Sequence, residues 1–159
     1  MNNSTLEIFD LGKKNGNEGD TVKHAVLARF TEQVFSEIGD GSFVYAESHT
    51  GRRSYILPED GEWKNGIGCL SAELERLKLQ VTDDPSQSKH RNIRPYLRTC
   101  FKHPMKEGAS YPGSSGLVDL ICRERGVVPN FHLCDTDEEV CRSLRASFGK
   151  QARRDNLSG

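Results

Sequence analysis

Long apolar runs are missing from this chain. No stretch approaches the roughly twenty consecutive apolar residues that a membrane-spanning helix needs, so no membrane partner is expected. The opening residues Met-Asn-Asn-Ser-Thr-Leu-Glu-Ile-Phe-Asp have no basic segment followed by an apolar one, so export is not expected and the cytoplasm is. Paired cysteines are missing too. The five cysteines, at 69, 100, 122, 134 and 141, are odd in number and contain no Cys-x-x-Cys, which argues against a zinc knuckle or a disulfide framework. They read as small apolar fillers in a reducing compartment. An excess of charge of one sign is also absent. With 22 Lys and Arg against 23 Asp and Glu, the formal net charge is −1, unlike a strongly basic nucleic-acid binder. Local basic stretches remain at Arg52-Arg53, Lys89 to Lys106 and Lys150 to Arg154, and each can meet phosphates. No Gly-x-x-x-x-Gly-Lys-Ser/Thr occurs, which excludes a P-loop nucleotide hydrolase. No internal repeat is found.

What is present suits one α/β domain. A chain of 159 residues can bury a core of its own. Glycines and asparagines at 15 to 19 make a turn, with Gly16 and Gly19 tolerating positive φ. Asp20 or Thr21 then caps a helix whose apolar face is Val22, Val26, Leu27 and Phe30, which leaves His24 off that face. Ser-Phe-Val-Tyr-Ala-Glu-Ser-His reads as a strand ending at Glu47 or Ser48. Residues 49 to 66 read as a long loop with at most a turn of helix. Ile67, Leu70, Leu74 and Leu77 mark an amphipathic helix. Residues 82 to 94 are the most linker-like segment, and Pro95 to His103 suits a short helix. An extended Tyr111-Pro112 precedes a helix through Leu117, Leu120 and Ile121, with Gly126 where a C-terminal cap belongs. Val127 to Asp135 is a second strand, and residues 136 to 148 form a helix with acids in its first turn. Strands alternating with helices predict a parallel sheet, though one with few strands, incomplete toward the C-terminal side.

Three polar clusters fall where open α/β sheets bind ligands, beyond the carboxyl ends of strands or at a helix N-terminus. Glu47-Ser48-His49-Thr50-Gly51 follows the first strand, and Asp135 closes the second. Tyr111-Pro112-Gly113-Ser114 leads into a helix whose first amides would face a ligand. An acid ending a strand can hold ribose hydroxyls, because a carboxylate accepts from two adjacent O–H donors. It can equally cap the following helix, and taken singly each cluster has such a plain structural use. Their joint occurrence on one sheet edge is more specific.

Taken in order, Gly-Asn-Glu-Gly-Asp-Thr-Val-Lys-His at 16 to 24, Tyr-Ala-Glu-Ser-His-Thr-Gly at 45 to 51, Gly-Glu-Trp-Lys-Asn-Gly-Ile-Gly at 61 to 68, Tyr-Pro-Gly-Ser at 111 to 114, and Leu-Cys-Asp at 133 to 135 resemble the RlmJ-type methyltransferases. That family is S-adenosylmethionine-dependent and acts on adenine N6 of 23S, the large-subunit ribosomal RNA. The resemblance covers about residues 9 to 149. It implies a Rossmann-like class I methyltransferase sheet over residues 1–149, with 150–159 as a polar basic tail. It implies S-adenosylmethionine held by His24, Glu47, His49, Gly51, Ser114 and Asp135, with Lys23 beside the reacting adenine and ribosomal RNA as partner. Three departures stand against it. Arg53 occupies the position of the family's second loop glycine, so a cation approaches a cationic cofactor unless Arg53 points outward. The family's N-terminal aromatic and histidine correspond to about Phe9 and Leu11. No Asp-Pro-Pro-Tyr occurs, the motif that would accept the adenine N6 hydrogens and stack on the base. The alternative is therefore a catalytically silent cofactor- or RNA-binding or protein-interaction module. It would self-associate, or recruit a complementing chain, through an open sheet edge.

Overall fold

The computed structural model describes residues 11–38, 42–76, 94–100 and 105–149. Phe9, Leu77, most of the linker-like segment, residues 101–103 and the basic tail lie outside them. The chain runs α1 (Leu11–Lys14), α2 (Glu18–Ile38), β1 (Val44–Glu47), β2 (Ser54–Ile56) and a 3-10 turn (Glu62–Lys64). It continues through α3 (Ile67–Arg76), α4 (Arg94–Cys100), β3 (Ser110–Pro112), α5 (Ser114–Glu124), β4 (Asn130–Leu133) and α6 (Glu138–Phe148). The result is a mixed α/β fold with a short parallel pair at its centre.

β1 and β4 pair in parallel, Val44 opposite Asn130 and Glu47 opposite Leu133. A second pair was not foreseen: β2 runs antiparallel to β3, with Tyr55 opposite Tyr111. The stretch read as a long loop therefore contains a strand. Its three residues are too few to show a period on their own, and the pairing partner lies far along the chain.

Two apolar clusters fill the interior, with α5 as the wall between them. Leu117 and Ile121 face Leu57, Trp63, Ile67, Tyr96 and Tyr111. Val118 and Cys122 face Phe43, Phe131, Leu133, Leu144 and Phe148 over the parallel pair. Leu27 and Phe35 of α2 touch both clusters. Cys100 and Cys122 are buried fillers, but Cys69 is exposed and Cys134 and Cys141 half-buried; all five are free thiols.

The inner face of α2 overturns the expected one. Val22, Val26 and Phe30 are 65, 64 and 63% exposed, while His24, Ala28 and Thr31 are buried. Small Ala28 permits close approach to α4 and α5. Thr31 satisfies its own hydroxyl on Leu27 O at 2.9 Å, and His24 finds polar partners inside. Burial here follows hydrogen-bond satisfaction rather than apolar content. Glu32 on the same helix pairs with Arg98 of α4 at 2.7 Å and with Arg125 after α5, tying three elements together.

The entrance of α2 is also built one step earlier than expected. Asn17 is the cap, its Oδ1 accepting from Asp20 N–H at 2.9 Å, and Asp20 returns a carboxylate oxygen to Gly16 N–H at 3.0 Å. Gly16 has φ +76°, whereas Gly19 lies inside the helix.

Candidate functional site

A chain of buried polar groups crosses four elements to reach the end of β1. Tyr96 Oη of α4 lies 3.1 Å from Tyr111 Oη of β3, and Tyr111 Oη lies 2.7 Å from His24 Nδ1. His24 Nε2 lies 3.3 Å from Ser114 Oγ of α5. Ser114 in turn hydrogen-bonds the Glu47 carboxylate, which also accepts from Tyr45 Oη at 3.0 Å. Burial, and Lys23 beside it, push the His24 pKa down to about 4, so the ring is neutral with one proton. Burial raises the Glu47 pKa, although the donors Tyr45 and Ser114 work against that rise.

These facts assign the donors. Ser114 and Tyr45 donate to the Glu47 carboxylate, and Ser114 itself accepts from His24 Nε2–H. His24 Nδ1 then accepts from Tyr111, whose oxygen accepts from Tyr96. The His24 tautomer is thus fixed by its neighbours. Tyr111 was read from sequence as an extended residue opening the Tyr-Pro-Gly-Ser cluster, with no hydrogen-bonding role of its own. The signal that could have found it is that a buried tyrosine hydroxyl requires a partner.

At the mouth of this chain the loop after β1 folds back over β4. Thr50 N–H donates to Cys134 O at 3.1 Å, and Thr50 Oγ1 bonds Glu47 O at 3.1 Å. Gly51 N–H donates to Asp135 Oδ2 at 2.9 Å, while Asp135 Oδ1 accepts from Asp137 N–H at 2.9 Å. Asp135 is therefore not the cap of α6. That role belongs to Asp137, which accepts from Glu139 and Val140 N–H at 2.7 and 3.2 Å. Gly51 has φ +65°, and a Cβ there would lie 2.5 Å from Tyr55 Oη, so only glycine fits.

The expected residues divide into two groups. Glu47, Gly51 and Asp135 stand together at the carboxyl ends of the parallel strands, half-buried. His24 and Ser114, 2 and 6% exposed, lie beneath them and are bonded to each other. His49 is exposed on the same loop, 3.0 Å from Ser48 Oγ. Lys23 is exposed and paired with Asp20 at 3.0 Å.

The helix N-terminus is closed rather than open. Gly113 N–H donates to Arg53 O at 2.9 Å, and a Cβ on Gly116 would lie 2.0 Å from that same oxygen. Arg53 turns its guanidinium away from the strand ends, to Asp119 at 2.8 Å and over the Phe148 ring. Arg52 pairs with Glu139 at 2.6 Å. Among the described residues no cluster of His, Cys, Asp or Glu could hold a metal ion, and no helix is long and apolar enough to cross a membrane.

No protein-family model matches this chain, and no curated protein matches it in sequence. Solved structures do resemble it. One is the crystal structure of protein LPL1258 from Legionella pneumophila str. Philadelphia 1, of the family model DUF519, with a TM-score of 0.57 and 22% sequence identity. The match covers 82% of this chain and 43% of that one, so this chain spans less than half of its length. At that identity the likeness establishes a shared fold and nothing finer.

Proposed function

We propose that this chain binds S-adenosylmethionine at the carboxyl ends of β1 and β4, as the cofactor half of an adenine-N6 ribosomal RNA methyltransferase. One observation carries the reading: two carboxylates, Glu47 and Asp135, close adjacent parallel strands, with the Gly51 loop folded between them. The residues fit the group. Each Asp135 oxygen accepts one backbone amide and keeps a lone pair for a ribose hydroxyl. Arg53, the cation that threatened a cationic ligand, is directed to Asp119 instead. The cofactor would supply an electrophilic methyl group on its sulfonium sulfur. His24 and Ser114 would hold Glu47 in place from below, His49 would close over the ligand, and exposed Lys23 would meet the RNA.

The absence of Asp-Pro-Pro-Tyr favours a second reading. In it the chain binds cofactor or RNA, or another protein, without catalysing transfer. Titration calorimetry with S-adenosylmethionine tests the shared premise. Binding in the micromolar range, weakened about tenfold or more in Asp135→Asn, is the expected result. No heat at millimolar cofactor sinks both cofactor-binding readings. Methyl transfer to naked 23S ribosomal RNA then separates the enzyme from the silent module.

A further inference from the structure

The antiparallel β2–β3 pair joins two segments that carry the candidate site. β2 follows the Gly51 loop, and β3 leads into Gly113 and the first turn of α5. Of the three residues of β2, Ser54 and Ile56 are exposed and Tyr55 alone is half-buried. It stands directly opposite Tyr111, the residue that orients His24, and residues so opposed share a face of the pair.

Three contacts fix where the Tyr55 ring ends. Its Oη accepts from Arg52 N–H at 2.8 Å. The same oxygen takes up the space of a Gly51 side chain, since a Cβ there would lie 2.5 Å from it. Along the ring, Cε2 would lie 3.2 Å from a Cβ on Gly113. Two glycines of the site thus leave room for one tyrosine. The loop amides show what the hydroxyl adds. Thr50, Gly51 and Arg52 N–H go in turn to Cys134 O, Asp135 Oδ2 and Tyr55 Oη. The first two tie the loop to the end of β4, and the third ties it to β2. A phenylalanine would fill the same space and leave the Arg52 amide without that acceptor. The hydroxyl therefore acts on the loop backbone rather than on packing.

We infer that Tyr55 is a positioning residue for the cofactor. Its hydroxyl fixes the left-handed Gly51 turn, and the Gly51 amide in turn holds the Asp135 carboxylate in the orientation that meets the ribose. The ring, set against Gly113, keeps that turn in register with Ser114 and the Glu47 carboxylate bonded to it. A carboxylate already oriented by two amides loses little freedom when ligand arrives; one released from the Gly51 amide must be ordered at the cost of affinity. The inference rests on the reading that S-adenosylmethionine binds at these strand ends.

Two measurements on the full 159-residue chain test it: titration calorimetry with S-adenosylmethionine, and hydrogen exchange without ligand. Tyr55→Phe keeps the ring and removes the acceptor. It should weaken binding about tenfold and speed exchange of the Gly51 and Arg52 amides, with the Phe131 amide of β4 unchanged. In the Asp135→Asn background the same substitution should cost less than about twofold in affinity, because the carboxylate it orients is already replaced. A tyrosine that merely supports the fold would cost the same in both backgrounds. Ile56→Thr, at the exposed neighbour on β2, leaves affinity unchanged, and circular dichroism verifies that each variant is folded. No binding by the wild type overturns the cofactor reading and this inference with it. Wild-type binding with an indifferent Tyr55→Phe, an unchanged Gly51 amide, or an equal loss in both backgrounds overturns this inference alone.

Discussion

Acid should destabilise this protein through one residue, and the size of the effect follows from the burial of His24. The ring is 2% exposed, with its pKa lowered from 6.5 to about 4, chiefly by burial and next by Lys23, while Asp20 opposes both. The unfolded chain therefore binds more protons than the folded one between those values. The stability contributed by neutral His24 is complete above about pH 6.5 and is lost as pH falls toward 4. Two and a half units correspond to at most about 3 kcal/mol, and on the order of 2 kcal/mol of it is gone at pH 5 relative to pH 7. Glu47 works in the opposite direction. Its raised pKa means that the folded state holds a proton more tightly there, so its term favours the fold as pH falls. The wild-type curve alone would mix the two. Urea unfolding at pH 7, 6 and 5 of the wild type and of His24→Gln isolates the histidine, because glutamine keeps hydrogen-bonding groups but does not titrate. The variant should be less stable at pH 7, and the gap should narrow by on the order of 2 kcal/mol at pH 5. If the gap is the same at all three pH values, His24 does not titrate below its ordinary range and the assignment of donors along the buried chain is wrong.

Three further outcomes follow from the packing. Tyr111→Phe strands the acceptor His24 Nδ1; chemical unfolding at pH 7 should show a loss of about 1–3 kcal/mol. Gly116→Ala places a carbon 2.0 Å from Arg53 O, a backbone atom that cannot move aside cheaply. A drop of about 2 kcal/mol or more should appear as a clearly lowered melting temperature. Asn17→Ala removes the cap of α2 and should cost about 1 kcal/mol by urea titration, whereas Thr21→Ala, if the cap lay there instead, would cost the same and Asn17→Ala little.

Apart from α1 and β2, the main elements and their order were readable from local pattern. Ile67 begins α3, Val44 to Glu47 form β1, Asn130 to Leu133 form β4, and Gly126, at φ +69°, follows α5 as a helix-ending glycine should. These depend on neighbours within a few residues, so the sequence carries them openly. The polar clusters at 47–51 and at 135 were readable in the same way, as residues at the ends of strands. Tertiary contact decided the rest. Whether Val26 or His24 faces inward turns on Tyr111 and Ser114, 87 and 90 residues away, which give the imidazole its partners. Asp135 is a loop clamp rather than a helix cap because Gly51, 84 residues earlier, brings an amide to it. Arg53 turns away from the strand ends because buried Asp119 waits for it on α5. A local pattern says which residues are apolar or polar. Only the folded chain says which polar groups find a partner, and in an interior that excludes water that pairing sets which face is buried.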